Sequence, residues 1–154
     1  AYARGMKIVL NPSPYEDELK AVDFGKLSWL LVNEVEACQC SGSDEPEMAW
    51  DVLHGRYPNL SVLITLGGAG SIAHAVTPEG LDTVRQQAFK ADAVDTTAAG
   101  DTFTGYFIGG LAEGRPLAEC MRRASMASAI GVTRMGAAVS IPKKEEVEAR
   151  LAEV

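Results

Sequence analysis

Nine consecutive residues, Asp95-Thr96-Thr97-Ala98-Ala99-Gly100-Asp101-Thr102-Phe103, carry the strongest chemical signal in the chain. Small residues leading into a helix let an anion approach bare backbone N–H groups. The helix dipole places roughly half a positive charge at that end. Charge developing on a phosphoryl group in flight would be stabilised by those donors. Asp101 admits two readings. A carboxylate in the first turn can serve as an N-terminal cap. It can also orient an attacking hydroxyl and take its proton, which phosphoryl transfer asks of some group. Spacing alone leaves both open.

The elements that would position this segment are legible from apolar runs. Met6 to Leu10 reads as a strand closed by Asn11-Pro12-Ser13-Pro14, since prolines do not continue a sheet. Trp29 to Val32 is a second apolar run, and Asn33-Glu34 opens a helix after it. Glu47 to His54 reads as a further helix, with Met48, Trp50 and Leu53 on or near one face. Leu60 to Leu66 is a β-branched strand running into Gly67-Gly68-Ala69-Gly70. Ser71 to Val76 and Leu81 to Phe89 flank Thr77-Pro78-Glu79-Gly80, the pattern of a β-hairpin. Ala99 to Glu113 is helical, with Phe103, Phe107, Ile108 and Leu111 forming an apolar stripe. Gly114 fits the position just past its end, and Pro116 starts an Ala/Ser-rich helix reaching about Val132. Lys143 to Ala152 is a charged final helix. Apolar strands alternating with helices predict an α/β fold with a mostly parallel sheet.

Composition narrows the function classes. The chain has 154 residues and a net charge of −7, with Lys and Arg scattered, so nucleic acid is not an expected partner. No run approaches the roughly 20 apolar residues that span a membrane, and no apolar leader opens the sequence. Cys38, Cys40 and Cys120 are odd in number and form no framework, which points to a reducing compartment, the cytoplasm. Cys38 and Cys40 lack a second Cys/His pair, and His54 and His74 stand alone. Packing or exposure is therefore preferred to a zinc site.

The segment Asp95 to Phe103 closely resembles the C-terminal signature D-T-x-[GA]-A-G-D of the ribokinase-like (PfkB-type) carbohydrate kinases. Further motifs follow in the family's order. Asn11-Pro12-Ser13-Pro14 resembles N-P-[AS]-P, Asn33 to Glu36 resembles N-x-x-E, and Thr65 to Gly70 resembles the T-L-G-x-x-G nucleotide loop. Val132 to Pro142 resembles V-T-R-x-G-A-x-x-S-[IV]-P. The resemblance runs from Met6 to Val154. It implies a ribokinase-like three-layer α/β sandwich, of which residues 1–154 would be the C-terminal, nucleotide-binding and catalytic portion.

The resemblance also implies roles. Asp101 would be the catalytic base, and Ala98, Ala99 and Gly100 would form an anion hole with the Asp101 N–H. Asn33 and Glu36 would lie near the phosphates, Glu36 holding Mg²⁺ through water. Without the family, Glu36 reads as a solvated charge. Thr65, Leu66, Gly67, Gly68, Ala69 and Gly70 would line the nucleotide, and Ser125 would face the adenine region. Asp95, Thr97, Gly131, Arg134, Gly136 and Ser140 would surround K⁺, an oxygen-rich shell suited to a hard cation. The plainer reading has Asp95 ending a strand with Arg134 packed on it. Thr104 departs from the Asn that many members carry, which bears on the choice of sugar.

The implied reaction is ATP-dependent phosphorylation of a small sugar at a primary hydroxyl, ribose to ribose 5-phosphate. Fructose and 2-keto-3-deoxygluconate are the alternatives. Family members are about twice this length; their N-terminal half, with the sugar residues and a β-sheet lid, has no counterpart in these residues. An isolated chain is therefore expected to bind nucleotide weakly and to leave sugar unphosphorylated, and the complete protein to form a homodimer. Two rivals lie outside the enzyme class proposed. A nucleotide-binding module would need the glycines without Asp101, and a dehydrogenase would need G-x-G-x-x-G, which Gly67 to Gly70 does not supply.

Overall fold

The computed structural model describes residues 1–154. The chain divides into two compact units, Ala1–Leu66 with Ile72–Thr83, and Gly67–Ser71 with Val84–Val154.

The first unit is built on β1 (Val9–Leu10), β2 (Trp29–Asn33), α1 (Glu34–Ser41), α2 (Pro46–Arg56) and β3 (Ser61–Thr65). Strands β4 (Ser71–Thr77) and β5 (Gly80–Gln86) follow, and the sheet order is β1-β2-β3-β4-β5. The first three strands are parallel, with Leu30 opposite Val62 and Val32 opposite Ile64. A two-residue turn joins β4 to β5, so this pair is the expected hairpin. Four of the five β3 residues are buried, including neighbours that point to opposite faces. That is the burial of a strand covered on both sides, and it explains the continuous apolar run.

The core of this unit gathers Leu30, Val32, Val62 and Ile64 from the strands with Ala37, Ala49, Trp50 and Leu53 from the helices. The Trp50 ring is stacked between His54 (centroids 4.6 Å) and His74 (4.5 Å), which ties α2 to β4. Met48 does not join them. It is exposed, because the helical phase that buries Ala49, Trp50 and Leu53 turns it outward. The first strand is also shorter than the run Met6 to Leu10. Only Val9 and Leu10 pair with β2, while a 3-10 turn at Tyr2–Arg4 and Gly5 with φ +69° carry the chain before it. Strand β5 stops at Gln86, short of Phe89, and is mostly exposed.

The second unit contains α3 (Ala99–Ala112), α4 (Leu117–Gly131) and α5 (Lys144–Leu151). The buried face of α3 is Thr102, Phe103, Phe107 and Gly110, with Ile108 and Leu111 only half-buried. Gly110 is where α4 comes closest: a Cβ there would lie 2.8 Å from Cys120 Sγ. In α4 every residue from Arg123 to Ala127 is buried, and Met126, Ala127 and Ile130 pack on Val147 of α5. Arg123 reaches Glu148 at 2.8 Å across the same contact. Gly114, with φ +72°, ends α3 as expected.

Candidate active site

In the second unit the motif segment is fixed from both ends. The N–H groups of Val94 and Asp95 both donate to the Val132 carbonyl, at 2.8 and 3.1 Å. One carboxylate oxygen of Asp95 accepts from the Thr97 N–H and the other from the Gly136 N–H, each at 2.9 Å. The Thr97 side chain first, and then the Gly136 and Thr97 N–H groups, hold the Asp95 carboxyl below its ordinary range. Asp95 thus ends no strand, and Arg134 does not pack on it: the Arg134 guanidinium pairs with Glu146.

A carboxyl held low in the folded state contributes stability above its unfolded value, about pH 4, and loses it as pH falls through the depressed one. The stability gap between the native protein and Asp95→Asn should therefore close on acidification below about pH 4. Thermal midpoints of the two proteins across pH measure it.

Ala98 stands just before α3 with φ 60° and ψ 14°, the one non-glycine residue in the left-handed region. An alanine there offers no side-chain acceptor. The first-turn N–H groups of Gly100 and Asp101 are therefore not capped by it. Asp101 makes no capping bond either, and its side chain is exposed. The capping reading of Asp101 is thereby set aside. Asp101 and Thr102 form one end of a cavity of about 300 Å³ that runs along α3 past Gly105 and Tyr106 to Ile141 and Lys144.

The segment after α4 folds back on the same region. Gly136 needs its φ of +92° to present its N–H to Asp95. The Ser140 hydroxyl donates to the Ala137 carbonyl at 2.7 Å. Ser140 and Gly131 are neighbours: a Cβ on Gly131 would lie 3.8 Å from the Ser140 carbonyl oxygen. Asp95, Thr97, Gly131, Gly136 and Ser140 are therefore brought together, whereas the Arg134 side chain is directed to Glu146. Thr102 belongs with this group, with its hydroxyl buried and unpartnered. Sequence reasoning passes over it as one more small residue in the motif.

Gly67, Gly68 and Ala69 form a 3-10 turn closed by the Gly70 N–H on the Gly67 carbonyl at 3.1 Å. Gly70 and Ser125 both meet the segment after β5. A Cβ on Gly70 would lie 2.1 Å from the Gln86 carbonyl oxygen, and the Ser125 hydroxyl donates to the Gln87 carbonyl at 3.3 Å. Ser125 is buried, so its hydroxyl serves this contact rather than an open surface.

In the first unit the register places Asn33 opposite Thr65, at the C-terminal ends of adjacent parallel strands. Such ends are where ligands bind in α/β sheets. The Thr65 hydroxyl donates to the Val32 carbonyl at 3.4 Å, and Leu66 follows half-buried. Asn33 and Glu36 form a capping box: the Glu36 N–H donates to Asn33 Oδ1 at 2.9 Å, and the Asn33 N–H donates to Glu36 Oε2 at 3.0 Å. Glu36 is accordingly buried, not the solvated charge its type suggests. Asn33→Ala should cost about 1 kcal/mol in unfolding experiments, while Asn33→Asp, an equally good cap, should hold stability.

Comparison with known proteins decides the family. The model of the pfkB family carbohydrate kinases matches residues 1–144. The chain belongs to the pfkB family of carbohydrate kinases. Among its pfkB relatives, the ribokinase of Haemophilus influenzae is 37% identical over 95% of this chain and 47% of its own length. That of Lactococcus lactis is 34% identical over 97% and 46%. The fold is ribokinase-like. Ribokinase from Thermotoga maritima aligns with a TM-score of 0.78 at 33% identity, over 95% of this chain and 49% of that one. Arabidopsis thaliana ribokinase, solved with ribose and ATP, aligns with 0.79 at 28% identity, over 97% and 49%. The chain thus spans about half the length of the curated relatives it matches.

Proposed function

We propose that the protein bearing this chain transfers the γ-phosphoryl group of ATP to a hydroxyl of a small sugar, ribose first among the candidates. One observation carries this reading: Asp101 is exposed and uncapped at the start of α3, directly after Ala98, Ala99 and Gly100. Asp101 accepts the proton of the attacking sugar hydroxyl. The N–H groups of the turn, on Ala98, Gly100 and Asp101, receive the charge on the transferring group, joined by that of Ala99 once it leaves the Thr96 carbonyl it meets at 3.2 Å. Asn33 and the residues Thr65 to Gly70 bind the nucleotide, and the Ser125 hydroxyl holds Gln87, the residue that Gly70 also meets. Mg²⁺ would supply neutralisation of phosphate charge, and Glu36, with one carboxylate oxygen taken by the Asn33 N–H, would hold it through water by the other.

The oxygens grouped around Asp95, Thr97, Gly131, Gly136 and Ser140 suit a monovalent cation such as K⁺, with Arg134 contributing main-chain oxygen only. The unpartnered Thr102 hydroxyl beside them supports a site that something further completes. On this reading residues 1–154 are the nucleotide-binding and catalytic portion, and sugar selection lies largely in the half that the relatives carry beyond the match.

ADP release by the whole protein that bears this chain, on a sugar panel with and without K⁺, tests the proposal. The expected result is release that depends on sugar, greatest with ribose and stimulated by K⁺. A preference for fructose or 2-keto-3-deoxygluconate would move the assignment within the family. Nucleotide binding without sugar-dependent release would reduce the chain to a binding fragment.

A further inference from the structure

Gln87 follows β5 in the second unit, and no role above uses its side chain. Its backbone is anchored on two flanks. The Gln87 carbonyl accepts from the Ser125 hydroxyl at 3.3 Å and from Gln86 Nε2 at 2.7 Å. On the other flank lies Gly70, where a Cβ would stand 2.8 Å from Gln87 Cα. Only a residue without a side chain lets the loop at Gly67 to Gly70 come so close. Gln87 itself is exposed. Its amide therefore stands on a fixed backbone beside that loop, an arrangement that lowers the cost of ordering it on a ligand.

The neighbouring polar groups are already engaged. Ser125 is buried with its hydroxyl on the Gln87 carbonyl, and the Gln86 amide donates to the same carbonyl. The Gly70 N–H closes the turn on the Gly67 carbonyl at 3.1 Å. Residues Gly67 to Gly70 bring no polar side chain. The Gln87 amide is left to offer both a donor and an acceptor. Along its Watson–Crick edge adenine shows an acceptor at N1 beside a donor at N6. Guanine shows the reverse, a donor at N1 beside an acceptor at O6. A primary amide matches one edge as it stands and the other when turned over.

We propose that Gln87 reads the purine base of the nucleotide through its side-chain amide, and that this amide turns to serve adenine and guanine alike. A glutamine pinned by a neighbouring side chain would present one face and reject the other base. Gln87 spends its main-chain carbonyl on its neighbours and keeps its amide in solvent. The protein thereby takes GTP as well as ATP. The inference rests on the reading of Thr65 to Gly70 as the nucleotide loop.

Calorimetric titration of the whole protein with ATP and with GTP tests it without recourse to phosphoryl transfer. The native protein should bind the two within about tenfold of each other, because rejection by about 10⁴ or more needs hydrogen-bonding groups held in one orientation. Gln87→Met, of similar length, should weaken both by about tenfold, the effect of one lost hydrogen bond. Gln87→Glu offers acceptors only, which suits the adjacent N1 and N2 donors of guanine. It should move the ratio of affinities at least about tenfold towards GTP. Both substitutions fall on an exposed side chain, so the fold should hold. An ATP affinity unchanged in Gln87→Met, or a ratio unmoved in Gln87→Glu, overturns the role of Gln87 and leaves the nucleotide loop standing. A native preference for ATP larger than about tenfold overturns the turning amide. A native protein that binds neither nucleotide overturns the reading of the loop, and the inference with it.

Discussion

Asp101→Asn should lower sugar-dependent turnover by about 10²–10⁴-fold while leaving nucleotide affinity nearly unchanged. The substitution is nearly isosteric and removes only the capacity to accept a proton as a carboxylate. Stability should hardly move, because the native carboxylate makes no capping bond that the amide would lose. A structural cap would give the opposite pattern, with lowered stability and intact turnover. Rates and unfolding curves on the same two proteins separate the cases.

Gly70→Ala should destabilise the second unit by about 3 kcal/mol and weaken nucleotide binding with it. Two effects act together. The residue holds φ at +100°, which alanine adopts only with strain. Its Cβ would stand 2.1 Å from the Gln86 carbonyl oxygen and 2.8 Å from the Ala88 N, both backbone atoms that cannot swing aside. The turn at Gly67 to Ala69 must then shift as a whole. Gly68→Ala is the control. Nothing lies within 4 Å of its Cβ position and its φ is not in the left-handed range, so stability should stay within about 0.5 kcal/mol. Denaturant unfolding of the three proteins makes the comparison.

Much of the fold is readable because its signals are local. The run Leu60 to Leu66 announces a strand covered on both faces, and the motif places Asp101 in the first turn of a helix. Gly114 and Pro116 mark the stop and restart between α3 and α4. The misreadings share a different cause. Met6 to Ile8 look like strand, yet strand formation there depends on what β2 offers as a partner. Met48 is apolar, yet the helical phase is set by Ala49 and Leu53. Glu36 reads as a surface charge until the β2 terminus brings the Asn33 N–H to it. The bond from Gly136 to Asp95 spans 41 positions, and no spacing rule in the sequence announces it. The left-handed backbone at Ala98 is equally silent, since glycine is the residue that signals such a conformation. Thr102 shows the same limit: its burial against Gly131 exists only once α3 and α4 are packed.

The central claim is that Asp101 and the turn before it pass phosphate from ATP to a sugar. The most direct measurement follows γ-labelled ATP in the protein bearing this chain, native and Asp101→Asn, with ribose present. The account predicts label on ribose in the native protein and almost none with Asp101→Asn. Equal labelling of ribose by both proteins, or label released only as inorganic phosphate whether or not sugar is present, would contradict it.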